Sequence, residues 1–565
     1  MDSLEFSYAL VLRALGALAA LGLAKFFYRL HQVRMLVRDV SRKHGVPILP
    51  HSYLLGHLPV VAKLTMKYPS DVFGGLVPHL LAKEYPEMAK HGLFYMDMWP
   101  ITAPMLSVYH PDMMTQFCQD TSLPKAELLH YEFQPFTQCR DLLNLEGAEW
   151  KKWRSIFNPG FSARNIISLM PAFLEEIHVF TDHLKEAART GEIIKMEDPA
   201  MKLTIDVIGR AVLGTRLHSQ TKPSPFYEAM HRQVGWLIVD MTPPSILKLL
   251  NPLRPLIMWN NNRIMRNYLM PFIQQGITDY ARSRGEEAGP KTINSLATKA
   301  YLNEFKPTSP SGGGGGGGAH VIDSHFIDMA LSQLKIFIFA GHDTTATTLS
   351  FAYHLLYKNP DKLAILRAEH DDVFGPDPTT AEGQLSSNPQ LLNSLPYTQA
   401  VIKETLRMFP PVGSVREGQR GFFLTHPDTK TRYPTEGWML FSNSFSMQRS
   451  EEIWPRADEF LPERWLNNTT TATPEDNGSG LRSRYKNAYR PFELGPRNCI
   501  GQELAQLEMR AILVLTVREL DVESAYPDNA PELFGDKAYQ VMVPKQITGH
   551  PKDGMPVRVR VRKTT

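Results

Sequence analysis

A loop close to the C-terminus combines a cysteine with residues typical of a tight turn. Residues 492–501 read FELGPRNCIG and contain Cys499, one of three cysteines in the chain. Gly495 and Gly501 tolerate backbone angles and close approaches that a side chain would block. The apolar residues that follow recur at helical spacing, and the start of that helix favours a thiolate. We interpret Cys499 as a metal ligand, with a buried structural cysteine as the alternative.

A second group of reactive residues lies inside a long apolar segment. Residues 340–345 read AGHDTT. The small side chains of Ala340 and Gly341 leave space for a ligand against a helix, while Asp343 and Thr344 place an acid beside an alcohol. Because burying such polar groups without partners is costly, the pair is a candidate functional site.

The same six residues have two other interpretations. Polar residues inside a helix often hydrogen-bond to the carbonyls of the preceding turn. The His342-Asp343 pair is also found in metal phosphohydrolases, but the sequence has no other His or Asp cluster at useful spacing. We interpret His342 as structural.

Two further pairs stand at helical spacing. Trp150 and Arg154 are four residues apart, so an indole N–H and a guanidinium share one face and suit carboxylates in a partly apolar setting. Glu404 and Arg407 are three apart and can form an ion pair. Neither pair is specific alone, because exposed Trp/Arg stacks and surface ion pairs look the same in sequence.

The elements that position these residues are mainly helical. The AGHDTT segment lies within a predicted helix over residues 324–359, which would span about 54 Å before Pro360 stops it. Apolar residues on both faces predict that this helix is buried. Residues 161–282 also have mainly helical patterns, whereas residues 557–562 alternate as a strand. The fold class predicted is mainly α with a smaller β region.

The N-terminal segment predicts a membrane anchor. Residues 4–28 are mostly apolar and about long enough to cross a bilayer, although Arg13 interrupts them. Asp2 and Glu5 precede the segment and basic residues follow it, which places the body in the cytosol by the positive-inside rule. An interfacial helix is the alternative.

The domain organisation follows from where the motifs lie. We assign residues 1–44 to the anchor with its basic stop, and residues 45–565 to a single catalytic unit. Composition shifts twice within that unit, and we expect flexible surface segments at about 285–323, which includes an unbroken glycine run, and at 467–486.

Charge and cysteine usage exclude several classes of protein. The chain has 565 residues, is 43% hydrophobic and carries a net charge of +3, which is too small to indicate nucleic-acid binding. Cys118, Cys139 and Cys499 are an odd set without zinc-type spacing, so a disulfide framework is not expected.

Together, the four motifs resemble those of the cytochrome P450 family, in the family's order and spacing. The resemblance implies a single, largely helical haem domain in which haem b (iron protoporphyrin IX) lies beside the long central helix. Cys499 would be the axial ligand of the haem iron, in a loop formed with Phe492, Gly495, Arg497 and Gly501.

The resemblance also implies roles for the other pairs. Trp150 and Arg154 would hold the haem propionates, and Arg416 is a further candidate for which Arg420 competes. Glu404 and Arg407, in the family's Glu-x-x-Arg helix, would form a buried ion-pair network with a later arginine.

That later arginine is Arg464, in a Pro-Glu-Arg segment. The network of Glu404, Arg407 and Arg464 would fix the fold behind the haem rather than take part in the chemistry.

The central helix would act on dioxygen. By resemblance, Gly341 and Ala340 open a pocket for oxygen, Thr344 hydrogen-bonds the bound oxygen, and Asp343 feeds protons from solvent.

The function implied is monooxygenation of a lipophilic small molecule, which we place in secondary-metabolite biosynthesis. The chain shows no flavin or nicotinamide motif, so electrons would come from an NADPH-dependent flavoprotein reductase in the endoplasmic reticulum membrane, with cytochrome b5 as an alternative donor. Basic residues near the thiolate side would suit an acidic partner: Lys151, Lys152, Arg482, Arg484, Lys486 and Arg490.

Three alternatives remain at this stage. A haem-thiolate isomerase or dehydratase would need no dioxygen, although such relatives generally lack the acid-alcohol pair. A non-catalytic haem-binding sensor would not need a proton relay. A membrane-anchored structural protein without haem would leave Cys499 and its glycines unexplained.

Overall fold

The computed structural model describes residues 2–238, 243–282, 291–304, 324–466, 487–542 and 547–562. The glycine run at 312–318, the segment 467–486 and three of the proposed docking residues (Arg482, Arg484 and Lys486) lie outside the described residues.

Helices make up most of the described chain. In chain order the α-helices are α1 (Asp2–His44), α2 (Leu58–Lys67), α3 (Val77–Glu84), α4 (Pro86–Ala89), α5 (Pro111–Thr115), α6 (Glu127–Thr137), α7 (Gly147–Phe157), α8 (Ala163–Ser168), α9 (Met170–Thr190), α10 (Glu197–Leu213), α11 (Pro225–Gly235), α12 (Pro243–Leu250), α13 (Arg254–Arg282), α14 (Ile293–Glu304), α15 (Ser324–Lys358), α16 (Pro360–Phe374), α17 (Ala381–Ser387), α18 (Pro396–Met408), α19 (Ser444–Met447) and α20 (Gln502–Thr516).

The strands form small sheets at the edges of the helical body. They are β1 (Leu93–Met96), β2 (Met105–Val108), β3 (Ile193–Lys195), β4 (Ser414–Glu417), β5 (Phe423–Thr425), β6 (Arg432–Pro434), β7 (Met439–Ser442), β8 (Leu520–Ser524), β9 (Gln540–Val541), β10 (His550–Pro551) and β11 (Pro556–Val561). One sheet has the order β1-β2-β7-β4, in which only β2 and β7 run parallel, and another has the order β3-β11-β8. The mainly α fold with a smaller β region is confirmed.

The central helix α15 is buried along most of its length. It ends at Lys358, two residues before Pro360, which starts α16 at a position that tolerates its missing N–H. Because α15 is apolar on both faces, it packs against α10 along one side and against α18 and α20 on others. The polar residues inside it are therefore held at fixed positions between helices.

The first helix combines an exposed apolar part with a part that packs on the body. A candidate membrane span begins at Leu10, and the 18-residue window with mean hydropathy 1.8 is 0% buried. From Leu30 onward α1 packs on the body through an apolar stripe that includes Val33 and Val37.

A buried ion pair adds to the packing of α1. The fully buried guanidinium of Arg34 donates to Asp97 Oδ1 at 2.5 Å and to the carbonyls of Leu54 and Trp99 at 3.1 and 3.0 Å. Packing therefore begins near residue 30, whereas the assigned boundary at residue 44 is where the helix ends.

One part of the expected flexible segment differs from its prediction. Within residues 285–323, α14 forms a helix whose Ile293 and Ala297 are 1% and 2% exposed. The polar and glycine-rich composition around it hid this short apolar face, so residues 293–304 are part of the packed body rather than a flexible surface segment.

Candidate active site

The two reactive segments meet at one cavity of about 300 Å³. Seven of the predicted site residues line it: Ala340, Gly341, Thr344, Phe492, Arg497, Cys499 and Gly501. Trp150, Arg154, Asp343, Arg416 and Gly495 are not in its lining. The cysteine loop and the central helix thus both contribute walls to a single site.

The cysteine loop is held in shape by its own backbone. The N–H of Cys499 donates to the carbonyl of Phe492 at 2.8 Å, and the N–H of Asn498 donates to Gly495 at 3.1 Å. Gly495 has a φ of 87°, and a Cβ there would stand 2.7 Å from the carbonyl oxygen of Cys118. A side chain at this position would be strained and would collide with the backbone behind the loop.

Gly501 does not need the unusual backbone angles that the sequence analysis expected of it. Its φ is −84°, which any residue can adopt, and a Cβ there would lie 3.8 Å from the sulfur of Cys499. Glycine at this position leaves the space beside the sulfur open rather than allowing the turn.

Cys499 lines the cavity and is exposed to it. Burial raises the pKa of the Cys499 thiol, and the N–H of Gly501 and the charge of Arg154 oppose that rise only in part. The protein alone therefore does not hold a free thiolate here. A bound metal cation deprotonates a coordinating thiol, which fits a ligand role for this residue.

Arg416 carries the strongest sign of a missing partner. Its side chain is 0% exposed, and none of its three guanidinium nitrogens has a hydrogen-bond partner among the described residues. An unpaired buried charge costs several kcal/mol. The competing candidate, Arg420, is exposed.

Two more cations face the same region. Arg497 donates to the carbonyl of Leu145 at 2.7 Å and contacts Glu146, but its Nη1 has no partner in the described part of the chain. Burial, together with the charges of Arg416 and Arg497, lowers the pKa of Lys125 to about 7. Its Nζ donates to the hydroxyl of Ser414 at 3.1 Å.

Sequence reasoning missed Lys125. It lies outside every motif, and the only signal is a backbone bridge between Lys125 and Arg416 that exists in the fold alone. The buried side chains of Arg416 and Arg497 and the partly buried Lys125 have unused donors near an accessible cysteine, which fits a planar group that carries carboxylates. The residues present therefore fit haem.

The Trp150 and Arg154 pair lies against the cysteine loop instead of the cavity. Arg154 donates to both the carbonyl and the side-chain oxygen of Asn498, at 2.8 and 2.9 Å, and the ring of Trp150 lies 4.4 Å from the guanidinium of Arg497. The pair thus fixes the loop and one of its cations. A propionate contact of its own stays a prediction.

The helix wall of the cavity is built from small residues. Ala340 is exposed to the cavity, and the hydroxyl of Thr344 donates to its carbonyl at 3.0 Å. A Cβ on Gly341 would stand 2.7 Å from the Ile208 side chain of α10. Gly341 is therefore needed for close helix packing as well as for space in the cavity.

Asp343 points away from the cavity. Successive helix residues are turned by about 100°, so the carboxylate next to Thr344 is directed into the body, where it is 2% exposed. Its Oδ2 accepts from the hydroxyl of Thr548 at 2.6 Å, and its Oδ1 lies 3.4 Å from Nε2 of His550. The predicted contact of Asp343 with solvent does not exist in this conformation, because these partners enclose it.

His342 is buried in the same turn. Its Nδ1 contacts the carbonyl of Ile338 at 2.9 Å, and burial lowers its pKa.

Glu404 on α18 accepts hydrogen bonds from several donors. Arg407 donates to both of its oxygens at 3.0 and 2.9 Å, Arg464 donates at 3.0 Å, and the indole of Trp465 donates at 2.9 Å. Glu404 and Arg407 are both 0% exposed. The structure thus brings the three predicted residues into one hydrogen-bonded cluster.

Comparison with known proteins agrees with this geometry. The model of the cytochrome P450 family matches residues 82–548. The cytochrome P450 monooxygenase polC of Polytolypa hystricis is 35% identical over 97% of this chain and 95% of its own length. The cytochrome P450 monooxygenase acrF of Aspergillus aculeatus is 35% identical over 83% of this chain and 94% of its own.

A solved structure resembles the fold. A crystal structure of a cytochrome P450 superimposes with a TM-score of 0.66 and 19% sequence identity, covering 87% of this chain and 98% of the other. With the match to the family model and the two fungal relatives, this shows that the chain belongs to the cytochrome P450 family of monooxygenases.

Proposed function

We propose that this chain binds haem b through Cys499 and inserts one oxygen atom from dioxygen into a lipophilic small molecule. The observation that carries the proposal is the cavity that Cys499 and Thr344 line together, with the unpartnered guanidinium of Arg416 buried nearby. The cavity offers a cysteine sulfur, a hydroxyl and the charges of Lys125 and Arg497, and Arg416 lies outside its lining.

Each residue has a distinct task in this proposal. Cys499 would coordinate the iron, while Arg416, Lys125 and Arg497 would hold the propionates through their free donors. When bound, haem supplies the activation of dioxygen by reduction. Thr344 offers its hydroxyl at the cavity wall, and the surrounding apolar side chains exclude water.

The lining favours an apolar substrate. Leu143, Phe161, Ile208, Phe337 and Val412 contribute to the cavity wall. Apolar walls with few polar groups select lipophilic ligands. The two fungal relatives are named as monooxygenases, and a role in secondary metabolism suits both this lining and their source.

Electrons would arrive from an NADPH-dependent flavoprotein reductase or from cytochrome b5. Lys151 and Lys152 are exposed on α7, the helix whose Arg154 contacts the cysteine loop. A positive surface at this place suits an acidic partner. Arg490 does not belong to that surface, since it is 2% exposed and its guanidinium contacts Glu493 at 2.6 Å.

The exposed apolar part of α1 supports a membrane location. Leu12 and Leu21 are each 68% exposed, as expected of a lipid-facing helix. We place this anchor in the endoplasmic reticulum membrane with the body in the cytosol.

Isotopically labelled dioxygen tests the proposed reaction. The purified protein, reductase and NADPH would be supplied with a panel of lipophilic precursors, and product masses would be recorded. Monooxygenation predicts one labelled oxygen atom in the product. An isomerase or dehydratase predicts a product without label that forms in the absence of NADPH, and that result would contradict the proposal.

A further inference from the structure

A row of charged groups continues from Asp343 away from the cavity. Asp343 lies on α15, His550 on β10 and Glu197 at the start of α10. Nε2 of His550 lies 2.7 Å from the hydroxyl of Thr548, which in turn donates to Asp343 at 2.6 Å. Nδ1 of His550 contacts a carboxylate oxygen of Glu197. Side chains from three separate elements thus form one unbroken hydrogen-bonded row.

The electrostatics of the row favour a protonated imidazole at its centre. Burial lowers the pKa of His550, but the carboxylates of Asp343 and Glu197 outweigh burial and raise it to about 9. His342, the other titratable neighbour on α15, is buried and its pKa is lowered. A charged imidazole between two carboxylates can release a proton to either side.

The two ends of the row differ in their surroundings. The side chains of His550 and Asp343 are 0% and 2% exposed, whereas that of Glu197 is 10% exposed. At the other end, Asp343 is the neighbour of Thr344, which lines the cavity. The row therefore runs from the side of the body nearer to solvent to the wall of the candidate active site.

We propose that Glu197, His550 and Thr548 form a proton-supply row that reloads Asp343 during the oxidation. This inference rests on the proposed monooxygenase function. The acid-alcohol pair alone does not explain how Asp343 obtains protons, because its carboxylate is enclosed by Thr548 and His550. His550 and Glu197 are positioning and relay residues that act through Asp343.

The proton transfers balance without any further reagent. The imidazolium of His550 gives its Nε2 proton to the oxygen of Thr548 as the hydroxyl proton of Thr548 passes to Asp343. The neutral Asp343 then turns toward Thr344 and releases that proton into the cavity. Conversion of the remaining neutral imidazole to its Nε2–H tautomer frees Nδ1, which takes up a proton entering through Glu197 and so restores the imidazolium. Each cycle moves one proton and no electrons.

A second buried pair on the same helix offers a matched control. Nε2 of His354 on α15 lies 2.9 Å from Asp536, and the side chain of His354 is 3% exposed. Neither residue lines the cavity. His354→Gln therefore disturbs a similar buried histidine–carboxylate contact without touching the proposed row.

The test compares His550→Gln and Glu197→Gln with His354→Gln in the haem-loaded protein, reconstituted with reductase and NADPH. The carbon monoxide spectrum first establishes equal haem loading. We then measure the share of consumed NADPH that ends as hydrogen peroxide, and its dependence on pH. We expect both row variants to raise the peroxide share and to slow NADPH-coupled reduction of oxygen to water by at least about tenfold, as for the loss of a general acid. His354→Gln should match wild type.

Two results would overturn the row. One is a wild-type peroxide share and pH profile in both row variants, and the other is an equal change in His354→Gln. If His550→Gln does not fold, two other measurements test the row. These are the peroxide share of Glu197→Gln and a nuclear magnetic resonance titration of His550 in wild-type protein that contains labelled histidine. An imidazole that is already neutral near neutral pH contradicts the proposal. Absence of the red-shifted Soret band in the carbon monoxide spectrum of wild type would instead contradict the proposed monooxygenase function itself.

Discussion

The protein contains two clusters of buried charge whose hydrogen-bonding groups are satisfied to different degrees. Around Glu404, donors from Arg407, Arg464 and Trp465 meet both carboxylate oxygens. Around Arg416, three guanidinium nitrogens have no partner among the described residues. The first cluster is complete within the protein, so it stabilises the fold. The second is complete only with a bound anion, so it marks a ligand site.

Removing Glu404, at the centre of the complete cluster, should have the largest effect on the stability of the fold. Glu404→Ala leaves Arg407 buried and unpaired, which costs about 3–5 kcal/mol of unfolding free energy. We expect little folded protein and loss of haem, measured by thermal unfolding and by soluble yield. Glu186→Ala breaks only an exposed pair with Arg189 and should unfold like wild type. Normal stability of Glu404→Ala would contradict the assignment of this cluster to the fold.

Removing Arg416 from the incomplete cluster should not lower the stability of the haem-free protein. Arg416→Met removes an unpaired buried charge, so the haem-free protein should be as stable as wild type or more stable. Haem affinity should fall by at least about tenfold, because charge-assisted hydrogen bonds contribute about 1.5–3 kcal/mol.

Haem titration and thermal unfolding of the haem-free protein check the two parts of this prediction. Arg420→Met, at an exposed position, is the control. Haem affinity that is unchanged in Arg416→Met would mean that the two clusters do not differ as described.

Thr344→Ala tests the reaction without disturbing either charged cluster. The variant removes a cavity hydroxyl that donates only to the carbonyl of Ala340, so folding and haem loading should be preserved. Product formation should fall by about tenfold or more, with hydrogen peroxide in its place. Thr344→Ser keeps the hydroxyl and should stay close to wild type. Full activity of Thr344→Ala would exclude this hydroxyl from the reaction.

The charged row behind Asp343 predicts a pH dependence of stability. Because the pKa of His550 is raised from 6.5 to about 9, its ionisation stabilises the folded state fully below pH 6.5. This contribution is lost as the pH rises through about 9. Thermal unfolding across this range should show a decline that is absent in His550→Gln, and equal slopes in both proteins would contradict the charged imidazole.

Exposed charges should contribute least to the fold. Lys151 and Lys152 lie on the surface, so reversing both to Glu should leave stability and haem content unchanged. Reduction by the reductase should slow several-fold at low ionic strength, since steering depends on charge. Stopped-flow reduction measures this rate, and an unchanged rate removes the docking proposal.

Some of this arrangement was predictable because the residues concerned are close in sequence. The loop that contains Cys499, the central helix α15 and the spacing of Glu404 and Arg407 are local patterns. They predicted the walls of the cavity and the mainly α fold. Arg464 was found because the resemblance supplied a second segment.

Other features depend on contacts between distant segments. Lys125 reaches Arg416 through a backbone bridge that spans nearly 300 residues of sequence. His550 meets Asp343 and Glu197 only after three elements pack together. The direction of Asp343 is likewise set by Thr548, not by its neighbour Thr344. Spacing along the chain carries no information about such contacts.

The most direct test of a thiolate-bound haem is the carbon monoxide difference spectrum of the reduced protein, recorded for wild type and Cys499→Ala. We expect a strongly red-shifted Soret band in wild type that is absent in the variant. A protein that binds no haem, or a spectrum that does not change when Cys499 is replaced, would contradict it.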